Sequence, residues 1–215
     1  MKKKTIVFIS LFLILVAILM VLYYINIIPH KSYNNAYFHI HDYKSSVDKD
    51  RDGVDDQTDI LENAKNYIAT KPKYKSKYYE TGYPSDEYGV CTDVVAQALL
   101  HAGYDLMELV NEDIKENREV YATQTIDKRI DFRRVVNLNV FFKRNAITLT
   151  TDITKIDSWQ GGDVVVFEHH IGIVSDKRNK RGVPFVIHHA NPYQINYEED
   201  ILEHRDDIIA HYRIS

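Results

Sequence analysis

The single cysteine of this 215-residue chain, Cys91, stands in YGVCTDVVAQALLHAG, followed at helical spacing by Val94, Val95, Ala98, Leu99 and Ala102. A thiol in the first turn of a helix meets unpaired backbone N–H groups and the positive end of the macrodipole. Both favour the thiolate, so this thiol is expected to react below the pH of a free cysteine of pKa ~8.5. The same spacing turns Cys91 toward the core, where a structural cysteine would also sit. Two further stretches offer bases. In WQGGDVVVFEHHIGIVSD, His170 shares a strand face with Gly172 and Val174, and FVIHHA ends a strand in His188 and His189. A hairpin of 170–175 with 184–189, centred on Asn179, sets His170 opposite His188. A nucleophile, a base and a residue that orients the base are the parts of a thiol acyl-transfer site, with His188 or His189 as orienter. The alternatives are a core cysteine with surface histidines, or a transition-metal site of Cys91 and the histidines. Asp163, in the Gly-Asp turn, is expected to organise backbone amides. Arg133 and Arg134 have the fork that suits a substrate carboxylate, although structural ion pairs are the commoner use.

A second constellation lies upstream. In DKDRDGVDDQTD, residues 48–59, acids fall at Asp48, Asp50, Asp52, Asp56 and Asp59, with Gly53 at the sixth position and the Val54 carbonyl at the seventh. Those are the oxygen positions of a calcium loop, with aspartate at the twelfth in place of the usual glutamate. The loop resembles those of dockerin and thrombospondin repeats and implies a structural Ca2+. A solvated acidic turn, with Asp59 capping a helix, is the competing reading.

The elements that must position these groups follow from the pattern. Residues 5–28 carry no charged side chain and are long enough to cross a hydrocarbon core of ~30 Å. Lys2, Lys3 and Lys4 precede the run, and Tyr23 and Tyr24 suit the outer interface, so the expected topology is a signal anchor over 1–28 with the remainder on the extracytoplasmic face of the cell membrane. A single cysteine in that compartment has no disulfide partner in its own chain. The three lysines leave 24 of the 27 basic residues against 31 acidic ones, a net charge of −7 that disfavours nucleic acid. Residues 29–47 lack periodicity and read as a stalk. A helix is expected at 59–69, its start marked by the Asp59 and Glu62 capping-box spacing, with others opening at Cys91 and after Asp105. Residues 163–167, 171–175, 184–189 and 208–214 are β-branched runs. Helices followed by an antiparallel sheet make an α+β domain over 58–215.

The ordered set of a cysteine opening a helix, GDVVVF, HIGIVSD and VIHH resembles the papain-like cell-wall cysteine peptidases of the NlpC and CHAP type. With DFRRVVNLNVFF and AHYR it is more closely similar to bacterial domain of unknown function 1287, over roughly 58–215. The resemblance implies a papain-like fold with Cys91 as nucleophile, His170 as base and His188 as orienter, and no cofactor for the chemistry. It further implies peptidoglycan, or another peptide, as substrate. The expectation is therefore a membrane-anchored extracytoplasmic cysteine hydrolase cleaving an amide bond. A non-catalytic wall-binding or assembly module on the same fold is the alternative.

Overall fold

The computed structural model describes residues 2–122 and 125–215; Met1, the first residue of the expected anchor, lies outside them. Helix α1 (Lys2–Tyr24) exposes its apolar side chains all round and is long and apolar enough to cross a membrane. Those properties suit a membrane anchor or a signal sequence. Helix α2 (Asp56–Ala69) starts three residues before the expected Asp59, because Asp55 is the N-cap, its carboxylate accepting from Thr58 N. Helices α3 (Cys91–Leu100) and α4 (Leu106–Glu116) lie where the periodicity sets them. Gly103, at φ +83, turns the chain between α3 and α4, and Asp105 caps α4 by accepting from Met107 N and Glu108 N. A short helix α5 (Lys128–Asp131) and the longer α6 (Val135–Asn145) complete the helical layer.

Strands β1 (Lys73–Tyr74) and β2 (Tyr88–Gly89) form a small parallel pair. The main sheet is antiparallel, in the order β3–β8–β4–β5–β6–β7. Its strands are β3 (Ile147–Thr148), β4 (Val164–Phe167), β5 (Ile171–Arg178), β6 (Pro184–Ile187), β7 (Glu198–Glu199) and β8 (Ile208–Arg213). The two-residue period sorts side chains into two cores. Val164, Val166, Ile171, Ile173 and Ile187 pack against α2, α3, α4 and α6, while Val165, Phe167, Val174 and Val186 pack with Trp159 and Leu202 on the other face. The chain is thus a mixed helix and antiparallel-sheet domain behind one apolar helix.

Residues 29–47 are not a free stalk. Tyr33 and Arg178 exchange backbone hydrogen bonds of 2.8 and 2.7 Å, Ile40 is buried, and the Asn35 side-chain oxygen accepts from the Arg178 guanidinium. Arg178 is fully buried and also donates to the carbonyls of Ile156, Trp159 and Gly182, so its charge is satisfied by oxygens rather than by a carboxylate. The sequence hides this packing because Asn35 and Tyr33 contribute polar backbone and amide contacts rather than an apolar period.

Asp163 joins the two layers. Its buried carboxylate accepts from Gln57 Nε2 of α2 at 2.9 Å, Gln160 N at 2.8 Å and His211 Nε2 of β8 at 2.9 Å. Arg213 adds two bonds of 2.7 and 2.8 Å. The expected organising role holds, with side chains as well as an amide among its partners. Gly162, at φ +94, closes the turn, since a Cβ there would meet the Gln57 carbonyl oxygen at 2.4 Å. Replacing Asp163 with Ala strands Arg213 and the other donors. The expected cost is about 3–5 kcal/mol, a fall in Tm of about 10 °C for the full chain in detergent. A variant melting within ~2 °C of wild type would remove Asp163 from this role.

Candidate active site

Cys91 occupies the first turn of α3, whose N-terminus is fixed by Asp93. The Asp93 carboxylate accepts from Val90 N at 2.9 Å and takes a two-pronged bond from Arg133, with Nε to Oδ1 at 2.7 Å and Nη2 to Oδ2 at 2.9 Å. Arg133 also donates to Lys77 O and stacks over Tyr79, so it holds the helix start and is not presented to a substrate. Arg134 lies 3.6 Å from Asp131 at the surface. Both arginines take the structural role.

The two imidazoles come from adjacent strands. Phe167 N donates to His170 O at 2.8 Å, which closes a hairpin whose two-residue tip is Glu168–His169 and sets His170 at the head of β5. In β5 and β6 the pairs are Ile173 with Ile187 and Val174 with Val186, so Gly172, not His170, lies opposite His188. The register differs by two from the expected one, which preserves the face, whereas a slip of one would have sent the rings to opposite sides. Gly172 makes the diagonal approach feasible, because a Cβ there would lie 2.6 Å from Val186 Cγ1 and 3.2 Å from His188 Cβ. His170 Nε2 lies 2.9 Å from His188 Nδ1, and His188 Nε2 lies 3.1 Å from Glu199 Oε2 on β7. Gln194 braces this end, its Nε2 donating to His188 O at 3.3 Å and its Oε1 accepting from Ala190 N at 2.6 Å. His189 points elsewhere, between Tyr74 and Tyr197, with a buried and unpartnered Nδ1. His188, not His189, is therefore the histidine in contact with His170.

Ile171 connects thiol and imidazole. Because 167 and 170 form the hydrogen-bonded hairpin pair, the Ile171 N–H points away from β4. β6 has ended at Ile187 before it can take that N–H, and the Ile171 amide is close enough to Cys91 to favour its thiolate. His170 and His188 belong by alternation to the sheet face away from α3, so the end of β5 lies between thiol and ring. Among the described residues no hydrogen bond joins Cys91 to His170, and His170 Nδ1 has no protein partner.

Burial dominates the electrostatics. It pushes the Cys91 thiol up to about 11 even though the amides of Ile171, Thr92 and Cys91 itself favour the thiolate. The expected low thiol pKa is thus reversed: Cys91 keeps some solvent contact but is closely ringed by protein, and lost hydration outweighs the helix start. Burial, aided by the neighbouring His188, lowers His170 to about 3, and burial lowers His188 to about 3. Burial raises Glu199 to about 7. The resting site holds a neutral thiol and neutral rings.

The chain of contacts has two proton arrangements. An ionised Glu199 accepts from His188 Nε2–H, His188 Nδ1 then accepts from His170 Nε2–H, and His170 Nδ1 carries the free lone pair of a base. A protonated Glu199 reverses both bonds and puts the proton on His170 Nδ1, which can then no longer act as a base. Sequence reasoning missed Glu199 because β7 is two residues long and shows no period; the three consecutive acids of NYEED were its only signal.

Of the calcium-loop residues, Asp48, Asp50 and Asp52 bring carboxylate oxygens within 4.8 Å of one another. Asp56 does not join them: it is buried, accepts from Lys49 N at 2.7 Å and from the Tyr104 hydroxyl, and so anchors the loop to the α3–α4 turn. Two cavities lie away from Cys91. One of about 520 Å³ runs between α4 and α6, and another of about 550 Å³ lies beside Asn196 and Lys65.

These features define an α+β domain, behind one apolar helix, with a lone thiol at a helix start and a His–His–Glu chain on the sheet. The chain belongs to the family described as Domain of unknown function (DUF1287), which matches residues 61–214. It is similar to the uncharacterized protein YijF of Escherichia coli (strain K12), at 35% identity over 167 residues covering 72% of this chain and 80% of that protein. No solved structure matches it.

The shifted groups set a pH dependence of stability. His170 and His188 fall from 6.5 to about 3 on folding, so the unfolded chain binds more protons between those values and stability rises with pH across that window. Glu199 rises from 4.5 to about 7, and its contribution is full below 4.5 and lost as pH rises through 7. Denaturant unfolding of the full chain in detergent should show a steep acid limb that flattens in His170→Gln with His188→Gln. Superimposable acid limbs would mean that the buried rings do not govern it.

Proposed function

We propose that the chain is a membrane-anchored cysteine hydrolase of papain-like type that cleaves an amide bond of peptidoglycan on the outer side of the cell membrane. The observation that carries this reading is the Cys91 thiol at the start of α3, on the helix packed beside the strand headed by His170, whose ring is held by His188 and Glu199. A helix opened by cysteine and packed on an antiparallel sheet, with histidine heading the adjoining strand, also supports the resemblance to NlpC- and CHAP-type peptidases. The apolar α1 behind three lysines supports the anchor and its orientation.

In this mechanism His170 Nδ1 takes the thiol proton as sulfur attacks the substrate carbonyl carbon. Proton transfer accompanies attack, because burial disfavours a resting thiolate–imidazolium pair. Amides at the start of α3 stabilise the oxyanion. The C–N bond then breaks, the imidazolium returns its proton to the leaving amine, and a thioester remains on Cys91. Water, deprotonated by His170, attacks the thioester and releases the carboxylic acid and the free thiol. His188 positions His170, and Glu199 positions His188; the chemistry calls for no cofactor.

Incubation of purified peptidoglycan with the full-length protein should give new amine and carboxyl ends by mass spectrometry, abolished in Cys91→Ala. His188→Ala should lower turnover at least ~10²-fold, the usual scale of acid–base assistance. His189→Ala should be mild. Glu199→Ala should remove the acid limb of activity near pH 7 that tautomer control by this carboxyl predicts. The high thiol pKa and the lack of a Cys91–His170 hydrogen bond favour a second reading, a non-catalytic wall-binding module. Binding to peptidoglycan without new ends, unchanged in Cys91→Ala, would establish it over the first.

The topology has its own test: protease added to intact cells should remove the domain. Its survival while known surface proteins are digested would place the domain on the other side.

A further inference from the structure

The loop at residues 48–59 plays no part in the hydrolase reading, yet it concentrates six aspartates against one lysine and one arginine. Among the described residues, no lysine or arginine pairs with Asp48, Asp50, Asp52 or Asp59. Local amides partly offset the charge: Asp52 N and Gly53 N donate to Asp48 at 3.2 and 3.0 Å, and Val54 N donates to Asp52 at 2.8 Å. Asp59 stands apart. It retains only 9% of its exposure, and its Oδ2 is buried without any hydrogen-bond partner. Its charge is opposed by Asp52, Asp50, Asp48 and Asp56, with Asp52 the strongest of the four. A buried carboxylate oxygen with no donor is costly, and the charges that oppose it include the three acids that converge on one another.

We propose that residues 48–59 bind one calcium ion through the carboxylates of Asp48, Asp50, Asp52 and Asp59 and the carbonyl of Val54. Gly53, at φ +97 with open space around its Cα, makes the turn that brings these positions together. The donors are all hard oxygens, with no thiol or imidazole, a set that selects calcium over transition metals. Asp56, at the ninth position, is not a ligand because Tyr104 and Lys49 N already hold it. The ion's effect is mechanical. A Cβ on Gly103 would lie 3.2 Å from Asp50 N, so the loop already rests on the α3–α4 turn, and Asp55 caps α2. Calcium fastens the segment that leads from α1 onto the helical layer.

The test uses the full-length protein in detergent with calcium alone as the probe. Extracellular modules of this type bind at about 10⁻⁴–10⁻³ M. Above that range Tm should climb about 3–6 °C for each tenfold increase in free calcium. Equilibrium dialysis should find one ion per chain. Asp50→Asn with Asp52→Asn should bind none and lose the response. Its calcium-free Tm should equal or exceed that of the wild type, because repulsion is removed while size is kept. Asp59→Asn should lose the response as well. A Tm indifferent to millimolar calcium, an equal rise with magnesium, or a response retained in the double variant would overturn the proposal.

Discussion

A buried carboxylate with no nearby donors would be too costly to keep, and Asp163 is kept because five donor contacts converge on it. Those donors come from α2, from the turn before β4 and from β8, so one charge fixes where the helical layer meets the centre of the sheet. Trp159 stacks on His211 at 3.8 Å, covering the same contact from the second core. The β4–β5 hairpin grows from this point, and with it the position of His170. Arg178 plays the complementary part on the far side, a buried cation satisfied by carbonyls and Asn35, which draws the segment after α1 onto the domain.

The candidate site works against the same burial that makes the fold stable. Hydration lost around Cys91, His170 and His188 keeps all three neutral, while a reactive thiol needs to lose its proton. In the proposed hydrolase, contacts rather than charge supply this: amides near the thiol that favour its thiolate, and the contacts from His170 through His188 to Glu199. In the hydrolase we propose, Glu199 decides which nitrogen of His170 is free. This makes a residue on a two-residue edge strand as consequential as the histidines.

Much of the scaffold could be read from local pattern. The apolar spacing behind Cys91 and the β-branched runs gave α3, β4, β5 and β8 to within a few residues, since each depends on its own periodicity. The capping acid of α2 was misplaced because Asp55, Asp56 and Asp59 are all plausible caps, and only the packing of Asp56 against Tyr104 separates them. Helix α6 went unread: its N-cap, Arg134, makes no side-chain cap, and VVNLNVFF mixes helical and strand signals. The register at His170 was two off because it assumed a symmetric hairpin, whereas the ladder shifts between Val174 and Arg178.

The sequence by itself determined the apolar span of α1, the α+β order of elements, the acidic spacing of residues 48–59 and the shared face of His170 and His188. Each of these follows from composition or from a fixed period along the chain. The tertiary structure alone decided that residues 29–47 dock, that Arg133 is committed to Asp93, that His188 rather than His189 meets His170, and that Glu199 stands behind it. It also decided that burial outweighs the helix start at Cys91. All of these depend on which groups meet across the fold and on how much water they lose there, and neither quantity is encoded in any local spacing of residues.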